Sequence, residues 1–109
     1  MKWYKVAGVS DIAVPVSKIS AGGKKLCLVN NENQFFALGS KCPHAGADLT
    51  NGWCESKKLI CPFHRYAYDL ETGRGNAGQN DFLPTYPVEI RNNDIYVGIP
   101  SFWDKLKGI

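Results

Sequence analysis

The only two histidines of this chain each stand just after a cysteine, and this coincidence constrains the fold more than any other feature. Cys42-Pro43-His44 is followed, after sixteen intervening residues, by Cys61-Pro62-Phe63-His64. Thiolates and imidazoles are soft and borderline donors that suit iron–sulfur clusters, zinc or copper. A lone cysteine in an apolar run is usually a small buried hydrophobe, and a lone histidine is usually a satisfied core or surface residue. Four such residues in two similar short loops point instead to a shared set of metal ligands. The fold must then bring two separate loops side by side. In one arrangement they grip a two-iron rhomb, with both thiolates on one iron and both imidazoles on the other.

The rest of the chain reads as short strands with turn punctuation. Lys24 to Asn30 and Gln34 to Leu38 are strands joined as a hairpin by the polar run Asn30-Asn31-Glu32-Asn33. Val88 to Arg91 and Ile95 to Gly98 form a second hairpin around Asn92-Asn93-Asp94. Trp3 to Val6 is an N-terminal strand, and Lys57 to Ile60 and Tyr66 to Asp69 are shorter candidates. No long segment repeats apolar residues at helical spacing; Ser101 could cap one short helix through Lys107. The expectation is an all-β fold, a sandwich or partly open barrel with a loop-rich insertion. At 109 residues it forms a single domain, 1–109, with a cluster-binding subdomain at about 40–83.

The net charge of +3 is modest and its lysines and arginines are scattered, with Lys24–Lys25 and Lys57–Lys58 the only adjacent pairs. Nucleic-acid binding needs a concentrated basic face, so it is not expected. No stretch approaches the ~20 apolar residues of a membrane span. The opening Met1 to Val6 lacks the apolar run of a signal peptide, so a cytoplasmic location is expected. A reducing compartment argues against reading the four cysteines as two disulfides.

Cys42-Pro43-His44-Ala45-Gly46-Ala47 and Cys61-Pro62-Phe63-His64, with Tyr68-Asp69 and Thr72-Gly73 behind them, resemble the Rieske signature. The opening Trp-Tyr-Lys-Val, Phe36-Ala37-Leu38 before the first loop and Leu83 to Val88 after the second extend the resemblance over nearly the whole chain. It implies two antiparallel sheets with a small subdomain at one tip, holding one Rieske-type 2Fe-2S cluster. Cys42 and Cys61 would bind the inner iron, and His44 and His64 the outer one. The implied function is a soluble one-electron carrier passing electrons from a reductase to a terminal oxygenase or other enzyme. The chain resembles the ferredoxins of ring-hydroxylating dioxygenase systems and the small subunit of cytoplasmic nitrite reductases. Many of those reductase subunits lack the ligands that this chain keeps.

High-potential relatives bridge the two loops by a disulfide, at positions held here by Ala47 and Phe63, so that bridge cannot form. Tyr66 fills the place of a serine that donates to a bridging sulfide. Arg65 stands where the family commonly has glycine, beside an outer-iron ligand, and could steer an acidic partner. Gly75 to Asp81 replaces the proline-bearing loop that often covers the cluster. Tyr68 matches the tyrosine whose hydroxyl bonds a ligand cysteine, which would be Cys42. With two of the usual potential-raising devices missing, the potential is expected toward the low end, roughly −150 mV.

Cys27, between Leu26 and Leu28 of an expected strand, and Cys54 are read as packing residues. So are the aromatic pairs Trp3-Tyr4, Phe35-Phe36 and Phe102-Trp103, the last of which could also anchor a partner. The sequence shows no nucleotide-binding glycine motif, no nucleophile–base arrangement and no small-molecule site. A structural zinc module on the same four ligands is the rival from another class, although zinc fingers place both cysteines before both histidines. A cluster-based redox sensor is a second rival, for which no extra recognition domain is visible.

Overall fold

The run Leu26-Cys27-Leu28-Val29 is apolar at every position, and all four residues are buried. A strand can bury consecutive side chains only when both of its faces are covered. The computed structural model, which describes residues 1–12, 14–43, 46–63, 65–79 and 81–100, shows how this happens. The run lies in β3 (Lys24–Asn31), an interior strand of a four-stranded antiparallel sheet. Its companions, in the order β2-β3-β4-β8, are β2 (Val16–Ala21), β4 (Gln34–Gly39) and β8 (Thr85–Tyr86).

On one face, Leu26 and Leu28 pack with Ile19, Ala37, Ile95, Val97 and Ile99. The last three belong to β10 (Asp94–Ile99), the middle strand of a second antiparallel sheet with β1 (Lys2–Gly8) and β9 (Val88–Arg91). On the other face, Cys27, Val29 and Leu38 pack with Leu49, Leu59, Tyr68, Leu70 and Leu83. That second core joins the central sheet to a third one, built from β5 (Trp53–Glu55), β6 (Lys58–Ile60) and β7 (Ala67–Asp69). Each antiparallel sheet stays open, so of the two expected forms the structure takes the sandwich and not the barrel.

Among the described residues, four hairpins turn on two residues with left-handed backbone: Gly22-Gly23, Glu32-Asn33, Ser56-Lys57 and Asn92-Asn93. Two consecutive positive φ values match the right-handed twist of the flanking strands. The two expected hairpins are present: β9 has the expected bounds, and β3, β4 and β10 are one or two residues longer than expected. Lys57 sits in a turn and Tyr66 precedes β7, which shortens both middle candidates by one residue. Strands β2, β5 and β8 are additional to those expected from the sequence. The expected helix after Ser101 and the pair Phe102-Trp103 lie outside the described residues. Among the described residues, no helix is long and apolar enough to cross a membrane.

Candidate metal centre

The two cysteine loops share one backbone design. The Cys42 N–H donates to the Ala47 carbonyl at 2.8 Å, and the Cys61 N–H donates to the Tyr66 carbonyl at 2.7 Å. Each bond closes a six-residue turn that begins Cys-Pro, and proline's fixed φ stiffens the exit from the cysteine. Four residues after each cysteine the backbone turns left-handed, at Gly46 (φ +70°) and Arg65 (φ +56°). His44 and His64 belong to these turns by chain position, but both lie outside the described residues.

The first turn is anchored below by a short 3-10 turn, Leu49–Asn51, that Asp48 caps. The Asp48 carboxylate accepts from the Thr50 N–H at 3.0 Å and from its hydroxyl at 2.6 Å, and pairs with Lys18 at 3.0 Å. These contacts, the Thr50 hydroxyl foremost, hold its carboxyl down to about 2. The second turn grows from β6 and returns into β7 within six residues.

Both loops deliver their sulfur to the same place. Cys42 and Cys61 are buried, neither forms a disulfide, and both belong to one core cluster. Burial pushes the Cys61 thiol up and the neighbouring Cys42 adds to this, while the Phe63 N–H, which donates to the Cys61 sulfur, acts the other way. Two buried, unbridged thiols on matched turns, with a backbone donor aimed at one of them, suit a pair of metal-bound thiolates. The donor set therefore fits the thiolate half of a two-cysteine, two-histidine cluster site.

Tyr68 lies directly against Cys42. It is fully buried on β7, with its hydroxyl 3.3 Å from Cys42 Sγ. The same hydroxyl donates to Asp81 Oδ2 at 3.1 Å. Burial first, then Cys42, then Asp81, hold the phenol protonated far above its ordinary range. The contact expected between Tyr68 and Cys42 is present, and Asp81 is a partner that sequence reading did not supply. The segment Gly75 to Asp81 stands out in the sequence, yet nothing in its spacing says which side chain returns to the tyrosine. An open concavity of about 750 Å³ runs along this segment, lined in part by Arg74, Asp81 and Phe82.

Arg65 is exposed but engaged. Its guanidinium lies 5.3 Å from the Trp53 ring centre and 3.6 Å from Glu55 Oε2, which also accepts from Trp53 Nε1 at 2.9 Å. Tyr66 is partly buried against the same core as the cysteines. Cys27 behaves as expected of a packing residue: it is fully buried, and burial above all raises its thiol to about 12. Cys54 is half-buried, and its thiol donates to Asn31 Oδ1 at 3.6 Å.

Residues 2–87 match the family model of the Rieske 2Fe-2S domain, and the chain belongs to this family. Its cofactor is accordingly a Rieske-type 2Fe-2S cluster. The chain is 30% identical over 101 residues to the ferredoxin component of the naphthalene 1,2-dioxygenase system of Pseudomonas putida, a match covering 91% of this chain and 97% of the relative. Among solved structures it resembles a chain from the complex of reduced oxygenase and oxidized ferredoxin in carbazole 1,9a-dioxygenase. That match has a TM-score of 0.79 and 27% identity, covering 88% of this chain and 92% of the other. A chain provisionally named as the small subunit of an NADH-dependent nitrite reductase from Mycobacterium tuberculosis shares the fold, with a TM-score of 0.84 at 17% identity and coverage of 92% and 96%.

Proposed function

We propose that this chain is a one-electron carrier whose cluster is held by Cys42 and Cys61 on the inner iron and by His44 and His64 on the outer. The observation that carries the reading is the pair of matched Cys-Pro turns, which bring two unbridged thiols to one buried point. When bound, the cluster supplies reversible uptake of a single electron, at a potential that imidazole ligation raises above that of four-cysteine clusters. The protein's own part is to shield and to expose. Leu49, Leu59, Leu83 and the Tyr68 ring pack around the thiolate side and exclude water. Phe63, between Cys61 and His64, and Phe82 stand exposed on loops of the same region, where a partner protein can approach.

Full protein coordination leaves no position for a substrate on the metal, which suits a carrier and not a catalyst. By analogy with the dioxygenase ferredoxins, the partners are a reductase and a terminal oxygenase. The whole chain, 1–109, then acts as one domain with its cluster-binding subdomain at about 40–83. The cytoplasm is the compartment proposed, because free cysteines such as the partly buried Cys54 suit a reducing environment.

Stopped-flow mixing tests the role. The cluster-loaded protein should be reduced by an NADH-dependent ferredoxin reductase and reoxidised by a terminal oxygenase over many turnovers. Stable association with a nitrite reductase catalytic subunit, with no transfer to an oxygenase, would replace this assignment by the reductase-subunit one.

A further inference from the structure

The Tyr68 hydroxyl has one proton and two acceptors. Cys42 Sγ lies 3.3 Å away and Asp81 Oδ2 3.1 Å away. A metal-bound thiolate has no proton to give, so beside a cluster the sulfur can only accept. The proton must then choose between a carboxylate and a sulfur that shares its charge with iron. Hydrogen bonds to a full carboxylate are about twice as strong as neutral ones.

Asp81 is held for this contact by a chain of bonds whose polarity the backbone fixes. The Ala67 N–H, which can only donate, bonds Gln79 Oε1 at 3.1 Å. The Gln79 amide nitrogen therefore faces the other way, donating to the Ala67 carbonyl at 3.3 Å and to Asp81 Oδ1 at 3.2 Å. With Oδ1 so occupied, Oδ2 is left for Tyr68. Gly75 leaves room for this arrangement, since a Cβ there would stand 2.6 Å from both Gln79 Nε2 and Asp81 Oδ1.

We propose that Asp81 is a positioning residue that draws the Tyr68 proton away from Cys42, so that the phenol oxygen faces the ligand sulfur and the reduction potential is kept low. The inference rests on the reading of Cys42 as a cluster ligand. A hydrogen bond to a ligand thiolate withdraws electron density and favours the reduced cluster. Asp81 withholds that bond. In Asp81→Asn, Gln79 Nε2 retains the amide oxygen and turns Nδ2 toward Tyr68. The amide then donates to the phenol, and the phenol proton turns to sulfur.

The test is a set of four cluster-loaded proteins: wild type, Asp81→Asn, Tyr68→Phe and the double variant. Each is assayed for iron and sulfide and measured by film voltammetry at one pH. Loss of the carboxylate's charge shifts both Asn proteins alike and cancels from the comparison. Tyr68→Phe should change the redox equilibrium constant less than about twofold in the wild-type background. In the Asn background it should lower it about fivefold, or about 40 mV at ~59 mV per tenfold. A deuterium-sensitive iron–sulfur stretch in the Raman spectrum should appear in Asp81→Asn and be missing from wild type. An equal fall on Tyr68→Phe in both backgrounds would place the proton on sulfur from the start and overturn the proposal. No effect in either background would overturn it too. If Asp81→Asn cannot hold a cluster, Asp81→Ala removes the acceptor and should give the same contrast. Failure of the wild type to carry two irons and two sulfides would instead refute the ligand reading itself.

Discussion

Gly46 and Arg65 occupy the same place in two matched turns, each four residues after a cysteine and each with left-handed backbone, φ +70° and +56°. Such a backbone is free of strain for glycine and costs other residues roughly 1–2 kcal/mol. Arginine is tolerated because its side chain stacks on Trp53 and pairs with Glu55, contacts worth about 0.5–1 kcal/mol for the exposed stack and less than that for the ion pair.

The two positions should therefore respond differently to substitution. A Cβ at Gly46 would meet nothing within 4 Å among the described residues, so the cost expected for Gly46→Ala is the backbone strain. It should retain the cluster and lower the thermal midpoint of cluster loss by about 4–8 °C for each ~1 kcal/mol of that strain. Arg65→Gly exchanges strain relief for lost contacts and should stay within a few degrees of wild type. Thermal bleaching of the visible spectrum measures both.

Arg65 and Glu55 should act on a partner as a neutral unit and not as a bare positive charge. Arg65→Gln and Glu55→Gln should shift the ionic-strength dependence of electron transfer in opposite directions, and the double variant should return it near the wild-type slope. A double variant that keeps the full change of Arg65→Gln would show that Glu55 does not offset the arginine.

The four cysteines should divide cleanly. Alanine at Cys42 or Cys61 should abolish the normal cluster, as should alanine at His44 or His64. Cys54→Ser keeps a donor for Asn31, and Cys27→Ala avoids burying a hydroxyl on a fully covered strand. Both should retain iron and sulfide in full. Loss of cluster from either one, with folding intact by circular dichroism, would show that the ligand set is misassigned.

Asp48 links the first turn to pH. Its folded-state carboxyl sits near 2, below the ordinary 3.8, so it contributes stability that is fully present above about pH 4 and is lost as pH falls toward 2. Asp48→Asn keeps the cap, since its amide oxygen still accepts from Thr50, but loses the negative charge that faces Lys18, and so should be less stable than wild type at pH 7. The gap to wild type should close as pH is lowered from 4 to 2. Denaturation followed across that range would detect a gap that stays constant, which would refute the linkage.

Much of this was legible in the sequence because the informative residues are of few types and closely spaced. The Cys-Pro-His and Cys-Pro-Phe-His loops carry their chemistry locally, and Asn92-Asn93 marks its hairpin by residue type. Strand β2 was hidden because only Ile19 and Ala21 of its six residues are buried, although Gly22-Gly23 after it was a usable turn signal. Strand β5 was hidden more deeply, since Ser56-Lys57 is not a residue pair that favours left-handed backbone. The Leu26 to Val29 run gave a strand, but only the third sheet explains why its cysteine is covered. The Gln79–Asp81–Tyr68 chain could not be read at all, because it depends on where a glycine-containing segment folds back.

Nitrogen and metal content together test the central claim most directly. Protein purified without oxygen should carry two irons and two acid-labile sulfides per chain. After one-electron reduction it should give an anisotropic electron spin resonance with hyperfine couplings from two ligand nitrogens, lost when His44 or His64 is replaced. One zinc per chain with no iron, or a reduced cluster without nitrogen coupling, would contradict the account.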